Sequence, residues 1–185
     1  MLVINDKKYF NRAEIIWEKG TNRAAFFRGE VAKYSWVDVG SSFLPSEITA
    51  AFFYAQLMCL LDIQDKRKSL WNLYFKELSD LAEQDKLEVP HQPVYSENNA
   101  HIFYIICKTI QERTALIAYL KSNYVESMFH YVSLHTRTFY LSANKIIVLP
   151  HAEHFSYCLL SLLLFPVLLE KYVLFITSKV KEFYA

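Results

Sequence analysis

Three groups of side chains in this sequence have types and spacings suited to chemistry. The first is Asn22, Arg23 and Arg28, followed closely by Tyr34 and Trp36. A guanidinium fork matches the oxygens of a diphosphate, and aromatic rings stack on a base or a sugar. The set reads as contact with a nucleotide-linked ligand, or equally as a loop held by its own hydrogen bonds. The second group is Ser41 and Ser42, shortly before Pro45-Ser46-Glu47. Proline fits the first turn of a helix, and glutamate suits the positive end of its dipole. Hydroxyls beside the free N–H groups of a helix start make an anion site without glycine, and they also serve as plain caps. The third group is His130 and His135, which flank a short apolar segment and taken alone read as structural histidines. His151 and His154 could share a helix face, but no third metal ligand accompanies them.

Composition sets limits on this chemistry. The chain has 185 residues, enough for one domain or a small domain with part of another. With 53% hydrophobic residues it has too much apolar surface to remain disordered. A net charge of +1 offers no electrostatic case for nucleic acid or an anionic membrane. Its densest basic cluster, Lys66-Arg67-Lys68, reads as a solvated helix face. There are only three glycines, Gly20, Gly29 and Gly40, so no glycine-rich phosphate loop is present. Cys59, Cys107 and Cys158 are widely spaced and lie in apolar runs, as expected of buried free thiols in a reducing cytoplasm.

Hydrophobic spacing suggests the elements that must position these groups. Leu2-Val3-Ile4 reads as the end of a strand, and Lys8 to Glu18 as a helix. Gly20 to Ser42 shows no steady period, and long stretches of that kind are often functional. From Pro45 to about Asp62 a helix is apolar nearly all round, as if covered on several sides. A second, amphipathic helix spans about Lys66 to Ala82. Pro90 and Pro93 mark a boundary, giving units of 1–88 and 89–185. Beyond it the pattern reads strand at His101 to Cys107, helix at Ile110 to Lys121 and strand at Phe129 to Leu134. The apolar run from Phe155 to Leu169 is shorter than the roughly 20 residues a membrane helix needs.

Three blocks carry a family resemblance. The first spans residues 19–57 and includes Lys19-Gly20-Thr21-Asn22-Arg23, Phe26-Phe27-Arg28-Gly29-Glu30, Gly40-Ser41-Ser42 and Leu44-Pro45-Ser46-Glu47. The second is Asn99-Ala100-His101-Ile102-Phe103-Tyr104-Ile105, and the third His130-Tyr131-Val132-Ser133-Leu134-His135. Together they resemble the DegT/DnrJ/StrS sugar aminotransferases over about residues 2–135. Ala32 and Ser133 stand where relatives usually have aspartate and proline, and from Thr136 the likeness is lost.

The resemblance implies an α/β fold: the C-terminal part of a pyridoxal-phosphate (PLP) transferase of fold type I, with a truncated large domain and a small α+β domain. It implies a homodimer, or a complementing N-terminal half, with glutamate as amino donor and a dTDP-4-keto-6-deoxy sugar as acceptor, made for surface polysaccharide. A residue near Ser42 would reach the neighbouring subunit's cofactor phosphate, and the block of His130 and His135 would lie near the sugar. The Schiff-base lysine is expected upstream, because Lys7, Lys8 and Lys19 do not lie in the family's lysine motif. The missing front and unfamiliar tail suggest a truncated or frame-shifted product. Such a product would be an enzyme fragment, or a catalytically dead remnant or dimerisation module without cofactor. A membrane-associated tail is disfavoured by Pro166 and Glu170-Lys171.

Overall fold

The computed structural model describes residues 2–185, and the chain divides into two compact units, Met1–Met58 and Cys59–Ala185. In the first unit a 3-10 turn, Lys7–Tyr9, leads into α1, Phe10–Trp17. Helix α1 ends in a left-handed turn through Lys19 (φ 62°) and Gly20 (φ 77°), where the Gly20 N–H donates to the Ile15 carbonyl at 2.8 Å. This is the bond that closes a Schellman cap. A short helix α2, Arg23–Phe27, lies inside the stretch read as unperiodic. Helix α3, Glu47–Met58, is capped by Ser46, whose Oγ accepts from the Thr49 N–H at 3.2 Å. No residue of α3 is buried. The strand end expected at Leu2-Val3-Ile4 pairs with no strand among the described residues.

The second unit opens with α4, Leu60–Glu83. One helix therefore covers residues that spacing had divided at Asp62–Lys66, and the break falls at Cys59 instead. Leu70, Tyr74, Leu78 and Leu81 recur at three- and four-residue intervals and are buried together with Trp71. Strand β1, Phe103–Ile106, follows, then α5, Ile110–Ser122, whose cap is the Thr109 hydroxyl accepting from the Glu112 N–H at 3.1 Å. Next come α6, Thr138–Ala143, α7, Pro150–Cys158, β2, Leu159–Leu162, and α8, Glu170–Tyr184.

The sheet is one antiparallel pair, with Phe103 opposite Leu162 and Ile106 opposite Leu159. Its strand β2 comes from the apolar run of 155–169. That run is apolar because Leu160, Ser161 and Leu162 are buried in the pair. The strand expected at Phe129 to Leu134 is not formed. Only Met128 bridges to Ser161, after which the chain leaves the sheet and reaches a 3-10 turn at Leu134–Thr136.

Around the pair the core is aromatic and aliphatic. Tyr74 stacks on Phe103 with ring centres 5.0 Å apart, and Trp71 meets the same ring edge-on at 5.4 Å. The Tyr74 hydroxyl donates to the Leu163 carbonyl at 2.9 Å, and burial raises its pKa well above the usual phenol value. Val173, Ile176 and Val180 of α8 close the same core. The boundary expected at 88/89 falls inside this unit, because Leu87 is buried and Glu88 exchanges both backbone hydrogen bonds with Ile106. Cys107 and Cys158 are buried and free as expected, whereas Cys59 is exposed. No helix among the described residues is long and apolar enough to cross a membrane.

Leu78 has no exposed surface. Leu78→Ala is expected to cost about 2–5 kcal/mol in urea unfolding. By contrast Phe52→Ser, on the bare face of α3, should change the stability of the isolated chain by less than about 0.5 kcal/mol.

Candidate functional site

Ser41 and Ser42 are placed by the end of α1. The Lys19 N–H donates to the Ser41 carbonyl at 3.0 Å, the Ser41 N–H to the Ile16 carbonyl at 2.9 Å, and the Phe43 N–H to the Trp17 carbonyl at 3.2 Å. Residues 41–43 thus satisfy carbonyls that a helix end leaves open. The approach is close enough to require glycine twice. A Cβ on Gly40 would sit 2.2 Å from the Gly20 nitrogen, and one on Gly20 would sit 1.8 Å from the Asp38 oxygen. Because Ser46 caps α3, Ser41 and Ser42 do not. Both are exposed, and neither hydroxyl makes a hydrogen bond among the described residues.

The polar loop is largely engaged with itself. Asn22 Oδ1 accepts from the Ser35 N–H at 2.7 Å. Arg23 pairs with Glu18 at 2.7 Å and lies over the Phe27 ring. Arg28 uses all three guanidinium nitrogens: Nη1 and Nη2 on the two Glu14 oxygens, both at 2.9 Å, and Nε and Nη2 on Glu30 at 2.7 and 3.1 Å. These carboxylates raise the Arg28 pKa further above its ordinary value. A diphosphate could take Arg28 only by displacing them. Tyr34 packs edge-on to Phe26, and both Tyr34 and Trp36 remain exposed, Trp36 by 77%.

The two histidines lie in the second unit and are tied within it. His130 Nδ1 is 3.0 Å from Ser161 Oγ on β2, and buried His135 Nε2 is 3.1 Å from Glu153 Oε1 on α7. Ser156 joins them by accepting from the Ser133 N–H at 3.1 Å and donating to the Tyr131 carbonyl at 3.0 Å. Residues 130–135 are therefore held by side chains of α7 and β2 in place of a strand ladder. The sequence did not single out Glu153, Ser156 or Ser161, since their importance depends on pairing at a distance. The hydrogen bond from His135, with that from the Leu149 N–H, holds the Glu153 carboxyl below the usual range.

The fit to PLP can be tested on these residues. Two unengaged hydroxyls on a braced backbone suit its phosphate. Its aldehyde needs a lysine amine of lowered pKa. Lys8 instead pairs with Asp6 at 2.9 Å, which raises its pKa, and Lys7 and Lys19 stand exposed. The chain fits the phosphate end of the group, and no lysine among these fits the other end.

A model of the DegT/DnrJ/EryC1/StrS aminotransferase family matches residues 1–181. The match corrects the expectation that the likeness ends at Thr136. The tail belongs to the matched region, with β2 and α8 completing the second unit. The chain is 26% identical over 189 residues to GDP-perosamine synthase of Escherichia coli O157:H7, covering 100% of this chain and 47% of that relative. Its fold is similar to Helicobacter pylori PseC, an aminotransferase involved in the biosynthesis of pseudoaminic acid. The TM-score is 0.85 at 18% identity, over 98% of this chain and 47% of that one. The PLP-form of Spr1654 from Streptococcus pneumoniae gives a TM-score of 0.82 at 18% identity, over 97% of this chain and 44% of that one. A PMP-form of that protein is similar too. The chain spans about half the length of the relatives it matches. Its fold is α/β and corresponds to part of a PLP-dependent transferase of fold type I.

Two consequences are measurable. Gly40→Ala should loosen residues 41–43 from α1, seen as faster amide hydrogen exchange at Lys19 and Ser41. The lowered Glu153 pKa stabilises the fold above the unfolded carboxyl value of about 4.3 and is lost as pH falls through the folded value. Glu153→Gln should thus lower the thermal midpoint at neutral pH and shrink the midpoint's fall on acidification to about pH 3.5.

Proposed function

The chain belongs to the DegT/DnrJ/EryC1/StrS aminotransferase family, and on that premise we propose that it is the C-terminal part of a PLP-dependent sugar-nucleotide aminotransferase whose Schiff-base lysine is carried outside this chain. The observation that carries this reading is the pair of unengaged hydroxyls at Ser41 and Ser42, on a backbone braced by α1. When bound, PLP supplies the electron sink through which an amino group is moved. This chain's residues bind and orient. The Ser41 and Ser42 hydroxyls donate to the cofactor phosphate of a neighbouring subunit. Tyr34 and Trp36 offer exposed rings to the base or the sugar. Asn22, Arg23 and Arg28 shape the loop that presents them, with Arg23 and Arg28 contacting substrate only if their carboxylate partners give way. His130 and His135 keep their segment against α7 and β2 near the sugar.

By resemblance the amino donor is glutamate and the acceptor a dTDP-4-keto-6-deoxy sugar, because the block of residues 19–57 is similar to that of dTDP-4-amino-4,6-dideoxygalactose transaminase. The product would serve surface polysaccharide of the enterobacterial common antigen or O-antigen type. The curated relative is named for a GDP sugar, so competition between dTDP and GDP sugars should be measured directly. The three free thiols suit a cytoplasmic setting.

A second reading, a dimerisation module that binds no cofactor, is favoured by α3. Ile48, Phe52 and Met58 are each at least 70% exposed, and a helix so apolar is stable in water only when covered. Association in size-exclusion chromatography is therefore expected under both readings, and cofactor chemistry separates them.

The decisive experiment is PLP titration followed by borohydride reduction and peptide mass spectrometry. The chain alone should give no specific phosphopyridoxyl-lysine. Mixed with a complementing N-terminal segment of a relative, it should support an adduct on that segment's lysine. Ser42→Ala should then weaken PLP retention by about tenfold or more, the loss expected for a hydrogen bond to a charged group. A stoichiometric adduct on one lysine of this chain would overturn the proposal. Complementation that never yields an adduct would favour the module.

A further inference from the structure

A cleft of about 420 Å³ opens in the second unit between α4 and the segment of residues 90–102. Three α4 side chains at i, i+4 and i+7 brace that segment, and of these Trp71 lines the cleft. Gln64 Nε2 donates to the Asn99 carbonyl at 3.1 Å, Lys68 Nζ pairs with Glu97 at 2.8 Å, and Trp71 Nε1 donates to the Ile102 carbonyl at 3.2 Å. One helix face thus holds the segment, and the cleft is its inner surface. A smaller recess of about 160 Å³ adjoins it, sharing Trp71, Gln92, Glu97 and Asn98.

Hydrogen-bond accounting shows what the cleft offers. Asn98 Oδ1 is engaged by the Ala100 N–H at 2.8 Å and Asn99 Oδ1 by the His101 N–H at 3.1 Å. Only an oxygen can accept these bonds, so the amide orientations are settled and both NH2 groups are left unengaged. His91, His101 and Tyr104 line the same space, and neither imidazole ring nor the Tyr104 hydroxyl makes a hydrogen bond among the described residues. The lining is therefore rich in donors. Lys68, which lines the adjoining recess and not the cleft itself, is paired with Glu97, and the pair raises the pKa of the first and lowers that of the second. No unpaired lysine or arginine is present to hold a phosphate. Nor is there an indole face for a base, because Trp71 is stacked by Phe75 with rings 10° from parallel and met by Phe103 edge-on.

We propose that this cleft, lined wholly by residues of the second unit, is a carbohydrate subsite which takes a neutral monosaccharide ring. The acceptor oxygens of a polyol match the unengaged amide, imidazole and phenol donors. The absence of free charge and of an open stacking face disfavours phosphates and nucleobases. The proposal does not rest on the transamination reading, and either can fail alone.

The test is ligand-observed saturation-transfer NMR on the full chain, a method that tolerates self-association. Methyl glucoside, methyl galactoside and N-acetylglucosamine are the probes, with adenosine and inorganic phosphate as competitors. A saturable signal in roughly the millimolar range is expected for at least one sugar, undisplaced by adenosine or phosphate. Asn99→Asp keeps the carbonyl that supports the segment and replaces the NH2 donor with an acceptor, and Tyr104→Phe removes only a hydroxyl. Each should weaken sugar binding by about fivefold or more, with circular dichroism unchanged. No transfer to any sugar would overturn the proposal. So would transfer unaffected by both variants, or binding restricted to adenosine or phosphate.

Discussion

Phe103–Ile106 and Leu159–Leu162 exchange backbone hydrogen bonds across a sequence separation of about fifty residues, and a two-stranded pair in water is marginal unless it is covered. Every large element of the second unit answers that constraint. Helix α4 brings Tyr74 and Trp71 onto Phe103, and α8 and α5 close the sides with Val173, Ile176, Leu116 and Leu120. The Tyr74 hydroxyl donates to a loop carbonyl, at Leu163, and so ties the chain leaving β2 to α4, as Trp71 Nε1 does through the Ile102 carbonyl ahead of β1. The pair also brings Ser161 within reach of His130, and its neighbour α7 brings Glu153 to His135. The histidine segment has its place because β2 does.

The first unit depends on a smaller device. A Cβ on Gly40 would strike Gly20 and one on Gly20 would strike Asp38, and these close approaches deliver residues 41–43 to the carbonyls at the end of α1. The backbone around Ser41 and Ser42 is consumed by that cap, while their hydroxyls stay unengaged. Braced backbone with available side chains is the arrangement a binding site requires. The arginines show the opposite economy. Arg28 is held in a cradle of four carboxylate oxygens from Glu14 and Glu30, which rigidifies the loop and removes its charge from easy use.

Family membership and spanned length bear on the same point. The chain spans about half the length of its relatives, and under the proposed reading some of its surfaces are covered in the whole protein. The wholly unburied α3, with large apolar side chains facing in every direction, is the plainest case, and an ordinary soluble helix would show one polar face. The bare helix accords with the proposed reading, in which this chain is part of a larger catalytic assembly.

Much of this was legible beforehand. The helix at Ile110–Ser122 announced itself by apolar spacing, and Phe103–Ile106 by a short apolar run. The three blocks identified the family, and the lack of glycine-rich loops excluded phosphate cradles of that kind. Other readings failed for reasons of competition. Phe129 to Leu134 has strand-like residues, but the chain leaves β2 after the single Met128–Ser161 bridge, and side chains of Ser156, Ser161 and Glu153 hold the segment instead. The spacing of Val173, Ile176, Thr177 and Val180 in α8 was visible in the sequence but obscured by the uninterrupted apolar run before it. By itself the sequence determined family, helix periodicity and the shortage of glycine, because these are carried by residue type and local spacing. Tertiary structure alone decided which strand paired, which arginines were engaged and which hydroxyls and amides remained unengaged, because each of these depends on a partner brought near by folding.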